Sequence, residues 1–410
     1  MSVATDFNHI IISGEFSFDS MQRACAALHN LKKSGYSSVS VDFSSVKSCF
    51  AGSVIPFIFK CRQSRADGLE VALVPPRDID LANLFVNSNW LNTFDPDTFP
   101  HSTAAYQRHI PALVFKDGES HFRAVDAVVH RLLGIFPRLH RDHFAALEWA
   151  INEITDNVLN HANSSIGGVV QLTTKTKSSI IEIVVCDAGL GIPKTLKDSN
   201  PSILSDLTAL DMSIQEGVTR NSDTNMGNGL FGSYSLSRLS EGYFHIYSGC
   251  ASLDYHGKDR TGLRVRRQSI PYAGTAITCG ISTREPDLLL KALTFGGKTH
   301  IPGYSLLDRI VDTEDKIEMR LSEQSVSFGS REIAREVRTK IENILRSTSK
   351  PVKLNLKGVT IVSSSYADEI FGKLAKEMGL APFGSRVEIV GSNANVDGVI
   401  RRAIKQRTET

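Results

Sequence analysis

The chain has 410 residues, more than one ordinary core holds, so two or three domains are expected. Its composition, 41% hydrophobic and 22% charged with a formal net charge of +2, excludes a mainly disordered chain and offers no global basic field for nucleic acid. The N-terminus lacks a basic start followed by an apolar run, and no long apolar stretch occurs, so a cytoplasmic protein with no secretory signal and no membrane span is expected. The six cysteines, Cys25, Cys49, Cys61, Cys186, Cys250 and Cys279, form no Cys-x-x-Cys pair, and buried reduced thiols are expected rather than a zinc site.

In chain order, HIIISGEF reads as a strand, residues 18–34 as a helix ending before Gly35, and SVSVDF as a strand. GSVIPFIFKCRQSRA is apolar enough for a packed helix, and LEVALVPP is a strand stopped by Pro75 and Pro76. This order predicts a small sheet with covering helices over residues 1–100. The segment from Asn89 to about Leu113 shows no period and is taken as a connector. A second unit over 114–284 opens with helical stretches. Its helix from Asp142 to Ala162 places Phe144, Leu147, Ile151, Ile154 and Val158 on one stripe. GVVQLTTKT, SIIEIVVC, YFHIYS, RVRRQS and TAITCGI follow as strands. Residues 285–314 read as a linker. From 315 to 410 a strand–helix order returns, a pseudo-repeat of the first hundred residues.

Three segments carry chemistry. On the helix ALEWAINEITDNVLNHA, Glu153 and Asn157 are one turn apart, with Asn160 and His161 a turn further on, a polar stripe beside the apolar one. Asn is a poor mid-helix residue, but its carboxamide oxygen is a hard ligand suited to Mg²⁺. A carboxylate one turn away can activate a water or hydroxyl near a terminal phosphate. VVCDAGLGI puts Asp187 at the end of an apolar strand, followed by Gly189, Gly191 and Ile192. A carboxylate there can accept the exocyclic amine of adenine, over backbone free of Cβ atoms. NMGNGLFGSYSLSRL places Gly227, Asn228, Gly229, Leu230 and Gly232 at the entry to a helix, where backbone N–H groups can cradle phosphate. The polar stretch between the last two segments has the length of a lid, and Thr275, after Gly274, opens the last strand within reach of Asp187.

Taken together and in this order, the segments resemble the GHKL ATPase family, and most closely its branch of bacterial anti-sigma-factor serine kinases. The resemblance implies an α/β fold: a central GHKL (Bergerat) α/β sandwich with a mixed sheet, helices on one face and ATP between. It implies Glu153 as catalytic base and Asn157 as magnesium ligand. It implies Asp187, Gly189 and Gly191 as the adenine box, Gly227, Gly229 and Gly232 as the phosphate-side box, and Thr275 as the late Gly-Thr element. It also implies ATP and Mg²⁺ as cofactors and, at family level, a homodimer.

The flanking units resemble STAS domains, the fold of anti-sigma-factor antagonists. In DFSSVKSCFAGSV the regulatory position falls on Ala51, with Ser53 nearby. In NLKGVTIVSSSYADEI it falls on Ser364, and the Tyr366–Glu369 run after it is closer to a STAS-like family of unknown function found beside GHKL domains.

Each residue also has a plain reading. The Glu153 stripe can be a solvated helix face, His161 a packing residue, and Ser364 or Ser365 an ordinary helix cap. Arg264, Arg266 and Arg267 can be a solvated hairpin face or meet an anionic partner, and Arg220 can reach phosphate or lie on the lid surface. Three functions stay open. One is an ATP-driven regulator that switches protein partners, by hydrolysis or by serine phosphorylation in cis or in trans. Another is an interaction scaffold, and the last a defence-type sensor whose ATP site only gates conformation.

Overall fold

A computed structural model describes residues 2–102, 109–135, 141–175, 177–216, 229–257, 262–282, 284, 291–292, 294–295, 298–299, 317–325 and 327–409. The chain is α/β. It divides into two units, Met1–Val128 with Trp149–His300, and Val129–Glu148 with Ile301–Thr410. None of the described helices is long and apolar enough to cross a membrane.

The first unit opens with strands β1 (Val3–Asp6) and β2 (His9–Phe16), helix α1 (Phe18–Lys33), β3 (Ser38–Cys49), α2 (Ala51–Ala66) and β4 (Glu70–Val74). Their sheet runs β1-β2-β3-β4, antiparallel at the first pair and parallel at the other two. Ser17 caps α1 by accepting the Ser20 N–H, and Met21, Cys25, Leu28 and Leu31 bury one stripe. The first half of helix α2 has no polar side. Val54, Ile55, Phe57, Ile58 and Phe59 are all fully buried, which requires cover all round.

That cover comes from a second sheet. Helices α3 (Ile79–Asn87) and α4 (Trp90–Phe94) lead to β5 (His109–Phe115), α5 (Gly118–Ile135) and α6 (Arg141–Asn157). Strands β6 (Gly168–Lys175) and β7 (Ile180–Asp187), short helices α7 (Ile192–Ser199) and α8 (Asp206–Ser213), then α9 (Gly229–Leu239), β8 (Tyr243–His256) and β9 (Arg264–Ser282) follow. The sheet order is β5-β6-β7-β9-β8. All four pairings are antiparallel, where the resemblance to GHKL proteins implies a mixed sheet. Val184 and Cys186 of β7 join the core that α2 fills, while Ile181, Ile183 and Val185 are buried on the opposite side. Tyr272 donates its hydroxyl to the Pro56 carbonyl at 3.2 Å, and buried Trp90 donates to Gln171 Oε1 at 2.7 Å. The two sheets of this unit therefore share one core.

Further details differ from the sequence reading: the connector to about Leu113 already holds the start of β5, and the polar stretch read as a lid opens with α7 and α8. The connector after Asn89 contains α4, whose Trp90, Leu91 and Phe94 are buried; five residues are too few to display a helical period. RVRRQS and TAITCGI belong to one strand, β9, bent at Gly274, which has a φ of +94°.

In the second unit a parallel three-stranded sheet joins Ile317–Arg320, Val352–Asn355 and Val387–Val390. The helices Arg331–Ser347 and Ala394–Thr408 are capped by Ser330 and Asn393. Residues 129–135, the end of α5, also belong here: Asn343 donates to the Leu133 carbonyl at 2.9 Å, and Arg131 forms a two-pronged ion pair with Glu336. The six cysteines are free thiols, and four of them are buried. Burial pushes the Cys25 and Cys279 thiols up to about 12.

Candidate functional site

Helix α6 ends in a π-helical turn, Val158–Ala162, and π turns inside helices are frequent at functional sites. The turn sets the carbonyl of Ala162 against the loop after β7. There the Leu190 N–H donates to it at 2.6 Å. A Cβ on Gly189 would overlap the same carbonyl oxygen, so only bare backbone fits. Glu153 and Asn157 are therefore tied, through their own helix, to the strand end that carries Asp187.

Asp187 is 5% exposed. Its Oδ1 accepts the Gly189 N–H at 2.8 Å, and the backbone N–H of Thr275 also bonds the carboxylate. Burial nevertheless outweighs these bonds and lifts the carboxyl to about 6. Ser248 knits the loop to the next strands. Its hydroxyl donates to the Gly274 carbonyl at 2.8 Å, accepts the Ile192 N–H at 2.9 Å, and lies 3.1 Å from the Thr275 hydroxyl. Thr275 thus reaches Asp187 through its backbone, while its side chain pairs with Ser248. The signal for Ser248 in the sequence is slight: a Ser-Gly step inside a strand run, which marks a bulge.

Helix α9 brings the third segment. Gly229 begins it against Glu153, and a Cβ there would stand 2.5 Å from Glu153 Oε2. Buried Ser233 donates back to the Gly229 carbonyl at 2.9 Å, Gly232 is buried beside it, and Leu230 is half-buried. Gly227, Asn228 and Arg220 lie outside the described residues, whereas the earlier part of the polar stretch read as a lid is described and holds α7 and α8. Asn160 is exposed on the π turn, and Ile192 has its N–H engaged by Ser248.

Glu153 is half-buried, and desolvation together with the charge of Asp156 raises its carboxyl. Burial also raises Asp156, opposed by His121, whose own imidazole burial pushes down. His121 of α5 lies 2.8 Å from the Thr155 hydroxyl and 3.4 Å from Asp156 Oδ1. Because Thr155 donates its own proton to the Ile151 carbonyl, His121 is the donor between them. The contact between His121 and Asp156 was not legible in the sequence, since the two are far apart in the chain and match no motif.

Asn157 and Glu153 carry oxygen donors of the kind that a hard divalent cation takes. Among the described residues no hydrogen bond ties down the Asn157 carboxamide, and no cluster of three His, Cys, Asp or Glu side chains offers a rival metal cage. Mg²⁺ commonly takes one or two protein oxygens and keeps waters and phosphate for the rest.

Ser364 stands apart, in the second unit. The cap there is Ser363, which accepts the Tyr366 N–H at 3.1 Å and donates to the Gly329 carbonyl, whereas the sequence reading gave the cap to Ser364 or Ser365. Ser364 is left exposed at the first helical position. Near the other regulatory position, Ser53 is buried with its hydroxyl donated to the Phe16 carbonyl at 2.6 Å, which closes it to modification.

Residues 334–397 match the family model of a STAS-like domain of unknown function (DUF4325). The match runs from the helix Arg331–Ser347 into the last helix and includes Ser364. No curated protein matches the chain.

Proposed function

We propose that the protein binds Mg-ATP in its first unit and regulates protein partners through its STAS-like domain by partner switching. The observation that carries this reading is the convergence of three separate segments: the end of α6, the loop after Asp187 and the start of α9. They are joined by the Leu190–Ala162 bond and by the packing of Gly229 on Glu153. A STAS-like domain is consistent with such a regulatory role.

In this reading the Asp187 carboxylate accepts the exocyclic amine of adenine. The glycine backbone of the loop lies under the base, and N–H groups at the start of α9 meet phosphate. Asn157 holds Mg²⁺, which when bound neutralises charge on the phosphoryl group. Glu153, kept basic by its raised carboxyl, takes the proton from the attacking oxygen. That oxygen belongs to water in an ATPase and to a serine in a kinase. The exposed hydroxyl of Ser364 favours a kinase reading over mere capping. Titration of the whole chain with a non-hydrolysable ATP analogue and Mg²⁺ tests the proposal. Saturable binding to the wild type and none to a folded Asp187→Asn variant is expected; equal binding by both removes the adenine assignment.

A further inference from the structure

Away from Asp187, the first unit has a cleft of about 460 Å³ between the start of α1 and the outer ribbon of β8 and β9. That volume lies within the range of about 300–1,000 Å³ typical of small-ligand sites. The ribbon is bent by bulges between Ser248 and Ala251, so that the two ends of β8 meet. His245 Nδ1 lies 3.0 Å from Asp254 Oδ1, and the rings of His245 and His256 are 4.6 Å apart. Phe18 stacks on His245 at 5.9 Å, and Phe50, which is 47% exposed, borders the same space. The floor is thus aromatic.

The walls carry opposite charge. Glu15 and Asp19 line the α1 side, while Arg264 and Arg266 line the ribbon side, across from Asp254 and Ser252 respectively in register. Opposed charges this close to one cleft normally pair. Here Glu15, Asp19 and Arg266 line the cleft and make no ion pair among the described residues. A pocket for an anion alone would not place two carboxylates on its wall, and one for a cation would not place two guanidiniums there.

We propose that this cleft binds a free aromatic α-amino acid, its carboxylate on Arg266 and Arg264, its ammonium on Asp19 and Glu15, and its ring on Phe18 and Phe50. Charge-assisted bonds at both ends and a ring contact between them use the unpaired charges and the aromatic groups that the cleft presents. The site is independent of the nucleotide reading, because none of these residues touches Asp187, Glu153 or Asn157.

The test uses the full chain and L-phenylalanine as the probe, by calorimetric titration. Phenylpropionate, which lacks the ammonium, and phenethylamine, which lacks the carboxylate, serve as one-ended analogues. Saturable binding of L-phenylalanine is expected, at least about tenfold tighter than either analogue, the loss of one charge-assisted contact. Asp19→Lys and Arg266→Glu are both exposed changes; each is expected to abolish binding, and the two together to restore part of it with the ligand reversed. No binding of L-phenylalanine overturns the proposal. So does equal binding of phenylpropionate, which would make the cleft an anion site, or unchanged affinity in the folded single variants.

Discussion

The carbonyl of Ala162 accepts the backbone N–H of Leu190 at 2.6 Å, in a place where residue 189 has no room for a side chain. One bond thus latches the last turn of the helix bearing Glu153 and Asn157 to the loop bearing Asp187. Gly189→Ala forces the two apart. It is expected to destabilise the first unit by about 1–3 kcal/mol, the usual cost of an overpacked site. Nucleotide binding should weaken more than stability does, because the residues proposed for adenine and metal move relative to each other. Urea denaturation beside nucleotide titration measures both, and a change under about 0.5 kcal/mol with intact binding contradicts the latch.

Asp187 gives a pH dependence with a definite sign. Its folded carboxyl sits at about 6, above the ordinary 3.8, so between these values the folded chain holds a proton that the unfolded chain releases. The contribution of this group to stability is therefore greatest below about pH 4 and is lost as pH rises through about 6, roughly 3 kcal/mol in all. Asp187→Asn should remove that slope and make the ligand-free protein more stable at pH 7.5. Nucleotide binding runs the other way. It needs the carboxylate, so affinity should drop about tenfold per pH unit below about 6, with a proton released on binding. Thermal unfolding of both proteins from pH 4 to 7 checks the first part and titration in buffers of different ionisation enthalpy the second; equal slopes in the two proteins between pH 4 and 6 refute the first, and pH-independent affinity the second.

Glu153 and Gly229 should separate binding from turnover. Glu153→Ala removes the proposed base and is expected to leave nucleotide affinity within about threefold while turnover falls by about 10²–10⁴. Gly229→Ala pushes a methyl group against Glu153 Oε2 and should also lower turnover. Phosphate release, or label transfer to serine, reports the rate. Wild-type turnover in Glu153→Ala places the base elsewhere.

In the second unit Glu369 is fully buried, with Lys373 at 2.7 Å and Arg338 at 3.5 Å. Glu369→Gln leaves these cations without their shared carboxylate, and a loss of about 3 kcal/mol is expected. Denaturant unfolding of the whole chain, followed by the transition belonging to this unit, measures it. A neutral result shows that solvent already screens the cations.

Much of this arrangement was legible in the order of residues. The apolar stripe of α6, the strand ending at Asp187 and the helix after Gly229 all follow from periodicity and glycine placement. Other parts were not legible, because they depend on what lies opposite. The all-round apolar character of the first half of α2 announced burial but not the second sheet that provides it. Ser248 bonds across three segments that share no local pattern, and His121 meets Thr155 only because α5 and α6 run side by side. The cap at Ser363 is a choice among three adjacent serines that backbone geometry alone decides.

Residues 129–148 are grouped with 301–410, so the second unit is assembled from two stretches of chain separated by most of the first. No single cut yields both units whole. A fragment starting near residue 301 lacks Arg131 and Leu133, leaving Glu336 without its guanidinium and Asn343 without its acceptor. A fragment ending near residue 300 keeps those groups but strands them in water. Excised pieces will accordingly misreport the behaviour of either half, and limited proteolysis should separate the two units only after cleavage at all three junctions, near residues 128, 148 and 300.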